Sequence, residues 1–238
     1  MTGINHPSLC HLLCRTAAFE AALLREFPDG HLVLVAFKES RHEVAAAAAL
    51  VAIEHAATLR AAAQIGAMNS ATAVLRLQYE AVLRAAWLLF GANHVQVSKL
   101  TRSLDLEAEQ AAKNVPGYLD MLAAIEKAAP PGLAEPLTEF NRYSRHALNS
   151  FVHAGLHPLT RVRAGFPLEE AETVLRFSAA MLHFAYRLLA NLTGSQELMN
   201  RVTQTFSVFA DCLPVRSMSV PTHATAAKKS PSSSRTAE

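Results

Sequence analysis

Residues 71–90 set the tightest limit on the fold. The run Ala71-Thr-Ala-Val-Leu-Arg76-Leu-Gln-Tyr-Glu80-Ala-Val-Leu-Arg84-Ala-Ala-Trp87-Leu-Leu-Phe90 follows Asn69-Ser70, which suits a helix N-cap, and stops at Gly91. Arg76, Glu80 and Arg84 recur at i, i+4 and i+8, with Trp87 on the same side, and nearly every other position is apolar. A helix that is apolar almost all round has to be enclosed by other helices. The charges it carries need partners there, because an unpaired buried charge is costly.

The rest of the chain supplies helices to do the enclosing. Alanine and leucine dominate and only nine glycines are present, a composition that favours helix. Ser8 opens a helix to about Phe27, stopped by Pro28-Asp29-Gly30, and an alanine-rich helix runs from Arg41 to about Gln64 before Gly66. A more polar helix is expected from Asn93 to Asn114, ended by Val115-Pro116-Gly117, and a short one from Tyr118 to Ala129, ended by Pro130-Pro131-Gly132. Further helices are expected at 135–153, at 168–192 with Glu169, Glu170 and Glu172 at its start, and from Ser195 to about Cys212. Residues 154–167 read as a loop. His31 to Ser40 has strand-like β-branching, but with no second convincing strand it is taken as helix or irregular linker. The expectation is a single all-α domain over residues 1–213, a bundle of about seven helices, with a disordered Ser/Thr/Pro-rich tail over 214–238.

Charge and cysteine content narrow the function classes. The net charge is +2, but the tail holds Arg216, Lys228, Lys229 and Arg235 against Glu238, a net of +3, which leaves the body at −1. A body without basic excess does not bind nucleic acid in bulk, so any RNA contact has to be local. Three cysteines, Cys10, Cys14 and Cys212, are too few for a disulfide framework and fit a reducing cytoplasm. Cys10 and Cys14 supply only half a zinc site and are expected as small core residues. The N-terminus has no basic stretch leading into an apolar run, and the longest apolar run, Val44 to Ile53, is too short to span a bilayer, so a cytoplasmic protein with no membrane association is expected. No Gly-rich phosphate loop, nucleophile elbow or carboxylate cluster appears, and neither cofactor nor metal is expected.

The candidate site is the stretch 142–153. On a helix turning about 100° per residue, Arg145, Asn149 and His153 stack, with Arg142 and His146 beside them. Five polar groups thus share roughly a quarter of the circumference. Phe140, Tyr143, Ala147, Leu148 and Phe151 take the rest. His157, before Pro158, and Arg161 and Arg163 follow in the expected loop. His55 and His183 lie on apolar helices and read as core histidines.

The stretch 73–89 with Arg76 and Glu80, together with Leu148-Asn149-Ser150-Phe151-Val152-His153-Ala154-Gly155, resembles a group of uncharacterised bacterial helical proteins. In these an Arg-x3-Glu helix is followed by Leu-Asn-x-Phe-x-His-x-Gly, and the resemblance covers about residues 40–195. More distantly the chain resembles the HEPN superfamily of helical bundles, which includes metal-independent ribonucleases of toxin and phage-defence systems. Asn149 and His153 match the polar residue and the histidine of their motif; Leu148 stands where the motif has arginine, and Arg145 lies one turn earlier on the same face. The resemblance implies a homodimer with a site built across it.

Three functional expectations result. In the first, the protein binds or cleaves RNA: His153 serves as acid or base, Arg145 with Arg142 holds phosphate, and Asn149 orients His153. In the second, the protein is a non-catalytic interaction or scaffold protein with a partner protein. Glu80, flanked by Arg76 and Arg84, then accepts from Arg145 or His153 in a buried network that fixes helix register. The third, a small-molecule sensor binding in the bundle core, requires an apolar cavity beside the stripe, and a non-catalytic cleft for RNA, a nucleotide or a protein is a further alternative.

Overall fold

A computed structural model describes residues 6–27, 39–130 and 132–214, and their regular structure is helical throughout. Residues 28–38, which hold most of the ambiguous His31–Ser40 segment, and the tail from 215 onward lie outside the described residues. The α-helices are α1 (Pro7–Arg25), α2 (Ser40–Gln64), α3 (Met68–Ala86), α4 (His94–Ser98), α5 (Leu106–Ala112), α6 (Tyr118–Ala128), α7 (Ala134–Val152), α8 (Leu156–Ala164), α9 (Leu168–Leu192) and α10 (Gln196–Val208). A π-helical turn, Trp87–Gly91, continues α3, and a 3-10 turn, Ala210–Cys212, follows α10.

α2 and α3 form the centre. Ala45, Ala49, Ala52, Ala56, Leu59 and Ala63 lie on one face of α2 and are all buried. Small side chains along that face let α3 approach toward the short end of the usual interaxial range of about 8–10 Å. α9 lies along both helices, and α1 and α10 cover its other side. α2 continues past the apolar run Val44–Ile53 to a length of 25 residues, and by length and composition it alone among the described helices is both long and apolar enough to cross a membrane. Its alanine face is the one packed on α3 and α9.

Buried polar ties set the register of these helices. Gln78, fully buried on α3, donates through Nε2 to the Ser178 carbonyl of α9 at 3.0 Å and accepts from Ser178 Oγ at 2.7 Å. Tyr79 Oη donates to the Leu137 carbonyl at 3.2 Å and so fastens α7 to α3. Phe140 stacks between Tyr79 and Phe177, with ring centroids 4.9 and 5.1 Å away. Leu137, Phe140, Leu148 and Phe151 are thereby the buried edge of α7, and the polar residues of 142–153 are left on the other side.

Several sequence expectations need correction. The described residues hold ten α-helices rather than about seven. The expected helix 93–114 is two: Asn93 forms a capping box at α4, and Asp105 caps α5 by accepting from Ala108 N at 2.7 Å. The expected loop 154–167 contains α8. Pro158 sits in its first turn, where a missing N–H does no harm, and Ser150 Oγ caps it by accepting from the His157 N–H at 3.1 Å. Cys10 and Cys14 are exposed on α1 rather than in the core, whereas Cys212 is buried.

Candidate functional site

The two motif helices carry out different tasks. Arg76 is buried on α3 and forms an ion pair with Glu80, one turn on, at 2.7 Å. Its guanidinium lies over the Tyr118 ring at 4.5 Å and near the Tyr79 ring at 5.9 Å. Burial pushes the Tyr79 hydroxyl pKa up against the opposing Arg76 charge, so it stays a neutral donor to Leu137. The network around the Arg-x3-Glu motif is therefore Arg76, Glu80 and two tyrosines. Glu80 finds its partner on its own helix, not in Arg145 or His153, and Arg84 is exposed at the surface.

α7 presents its stripe outward. Arg142, His146, Asn149 and His153 are exposed and Arg145 is half-buried. Arg145 Nη2 and His146 Nε2 lie 3.1 Å apart, and Arg142 packs over the neighbouring Tyr143 ring at 5.1 Å. Leu148, in the place of the motif arginine, is 4% exposed and belongs to the core. The buried register-fixing network between Glu80 and the stripe does not form in this arrangement.

The end of α7 is shaped around His153. The His153 N–H donates to the Asn149 carbonyl at 3.2 Å, and the Gly155 N–H reaches back to the Ser150 carbonyl at 2.8 Å. Between them Ala154 has φ +51°, in the left-handed region that an L side chain rarely adopts. A Cβ at Gly155 would sit 2.7 Å from Ser150 Oγ, the atom that caps α8, so glycine is required for this crossing. His157 is half-buried, with its ring 5.9 Å from that of Phe151. Arg161 pairs with Glu170 at 2.5 Å, and Arg163 is exposed.

A model of a family of unknown function (DUF6988) matches residues 49–215. The chain belongs to that family. The DUF6988 match covers both motifs, from the α3 pair Arg76–Glu80 to the α7 stripe, and continues through α10. No curated protein and no solved structure matches the chain.

Within the DUF6988 region the structure also shows what the sequence did not single out. A cavity of about 500 Å³ opens between α6 and α7 beside the stripe, with Arg142, Arg145 and His146 on its rim. Asn141 lines it and is 7% exposed, and its Oδ1 has no hydrogen-bond partner. Asn141 adjoins the stripe in sequence, but only the packing of α6 against α7 reveals that it is buried. An adjoining cavity shares Glu126, Thr138 and Arg142 and adds Glu135 and Glu139, which makes that end acidic. Among the described residues no cluster of His, Cys, Asp or Glu is arranged to hold a metal ion.

Proposed function

We propose that the outward face of α7 binds single-stranded RNA, with His153 the acid-base group of a metal-independent cleavage. The observation that carries this reading is the exposure of Asn149 and His153 in line with Arg145 and His146, on a helix whose other edge is core. Arg145, Asn149 and His153 are spaced one turn apart, about 6 Å of rise each, a ladder of the kind that follows successive backbone phosphates. With the body at −1, this local row, not overall charge, attracts the RNA.

In the cleavage, His153 takes the proton of a ribose 2′-OH and the 2′ oxygen attacks phosphorus. The P–O5′ bond then breaks, and the leaving 5′ oxygen takes up a proton. His146 stands seven residues from His153, about 10 Å along the axis, so it does not serve the same phosphate. A second copy brings a second His153 as the proton donor, which makes the homodimer part of this reading. The distant HEPN resemblance supports the same assignment through Asn149 and His153.

The test measures cleavage and binding of a fluorescent RNA in EDTA. Cleavage that His153→Ala abolishes, with binding that Arg145→Gln weakens at least tenfold, is expected. A protein that binds no RNA refutes the proposal, and cleavage unaffected by His153→Ala refutes the role of His153. A second reading, a non-catalytic protein that docks a partner, draws on one observation. α8 turns Leu156, Leu159 and Val162 outward at i, i+3 and i+6, all more than half exposed.

A further inference from the structure

The unpartnered Asn141 oxygen gives the cavity between α6 and α7 a chemical preference. A buried amide acceptor without a partner carries an unmet desolvation cost, and a ligand that supplies an N–H donor removes it. The α6 side of the same cavity is apolar, formed by Leu119, Leu122 and Ala123, a surface on which a flat ring rests. Arg145 at its mouth supplies positive charge and N–H donors for an anion, with the His146 ring against it. Glu126, on the wall, accepts from Thr138 Oγ1 at 2.7 Å through one oxygen, and its other oxygen suits a ribose hydroxyl, which donates to carboxylate. Donor to Asn141, ring on the apolar wall, hydroxyl to Glu126 and phosphate on Arg145 describe one kind of molecule.

We infer that this cavity takes an amino-bearing nucleobase, adenine, cytosine or guanine, whose phosphate lies on Arg145 and His146. The inference rests on the RNA reading of α7 and extends it: one base of the strand leaves the stack and enters beside Asn141, while the backbone continues along Asn149 and His153. A free nucleotide offers the same chemistry. The acidic neighbouring cavity, with Glu135 and Glu139, steers the phosphate to the Arg145 end.

The experiment measures binding of AMP, purine riboside 5′-monophosphate, adenosine and inorganic phosphate to the full chain by calorimetry, and of A8 and an abasic octamer by fluorescence anisotropy. AMP is expected to bind at least tenfold more tightly than purine riboside 5′-monophosphate, which has neither the amine nor a ring N–H on that edge, and than adenosine or phosphate alone. A8 is expected to bind more tightly than the abasic octamer. Asn141→Leu keeps the volume and removes the unpartnered oxygen, so it should melt no lower than the parent yet bind AMP at least tenfold more weakly and lose the preference for A8. Should Asn141→Leu fail to fold, Arg145→Gln on the rim tests the phosphate contact by the same AMP titration. Equal binding of AMP and purine riboside 5′-monophosphate, or unchanged AMP affinity in Asn141→Leu, overturns the inference. RNA binding without base preference or AMP binding would overturn the inference alone. AMP binding with no RNA binding would overturn the RNA reading and leave the cavity as a nucleotide site.

Discussion

His183 offers a direct check on how this core is held together. It sits on α9, 5% exposed, with its ring 4.3 Å from that of Phe206 on α10 and 6.3 Å from that of Phe19 on α1. Its Nε2 has no hydrogen-bond partner. Burial, and secondarily the neighbouring Arg187 charge, push its pKa down to about 3 from 6.5. The folded state thus binds this proton less readily than the unfolded chain. Its contribution is fully present above pH 6.5 and is lost as pH falls from 6.5 toward 3. At pH 5 the loss is about 1.5 pH units' worth, or about 2 kcal/mol. Urea unfolding at pH 8 and pH 5 measures it. His183→Met keeps an apolar side chain of similar reach and cannot titrate. It should shrink the stability difference between the two pH values by about 2 kcal/mol, while all other titrating groups cancel in the comparison. If His183→Met loses as much stability as the parent between pH 8 and pH 5, the histidine is not held neutral by its surroundings and the reasoning fails.

Other perturbations probe the joints that position α7. Ala154→Gly relieves the φ of +51° and should stabilise the protein by about 0.5–1 kcal/mol, read as a melting temperature higher by a few degrees. Gly155→Ala drives a Cβ into Ser150 Oγ and should cost about 1–2 kcal/mol through loss of the α8 cap, seen as a lower urea midpoint. Ser178→Ala leaves the buried Gln78 Oε1 without its donor and should cost about 1–3 kcal/mol; adding Gln78→Leu should recover part of that loss in a double-mutant cycle. Exposed Cys14 should react with iodoacetamide at pH 8 well before Cys212, whose thiol burial pushes up to about 11, as mass spectrometry of peptides will show.

Helix class and the enclosure of α3 were legible because they depend on periodicity: Tyr79, Val82, Leu83 and Trp87 are buried as the apolar run requires. Boundaries set by distant atoms were not. α8 depends on Ser150, seven residues upstream, lending its hydroxyl to the His157 N–H, so no local pattern announces it. The partner of Glu80 was misplaced for a related reason. Spacing puts Arg76 within reach on the same helix, and Tyr118 from α6 covers its guanidinium, so Arg76 is buried without a carboxylate from another helix. The sequence left open whether the stripe faces out or inward against Glu80; Leu137, Phe140 and Phe151 turn it outward by filling the core.

Along α7, alternate turns answer to different demands. Leu148 and Phe151 fill the core, and Gly155 lets the chain pass over Ser150; changing any of these disturbs folding before it touches a ligand. Asn149 and His153, interleaved with them, contribute nothing to the core that their exposure would reveal, and a chain selected only for stability has no use for His153 there. The left-handed Ala154 follows immediately, where the Gly155 N–H bond to the Ser150 carbonyl closes the helix end. The separation is testable within the one motif: substitutions at Leu148 or Gly155 should lower the melting temperature, whereas Asn149→Ala and His153→Ala should leave it unchanged and act on RNA alone. A drop in melting temperature for both surface variants would mean that the whole motif is structural, and α7 would lose its claim to be the site.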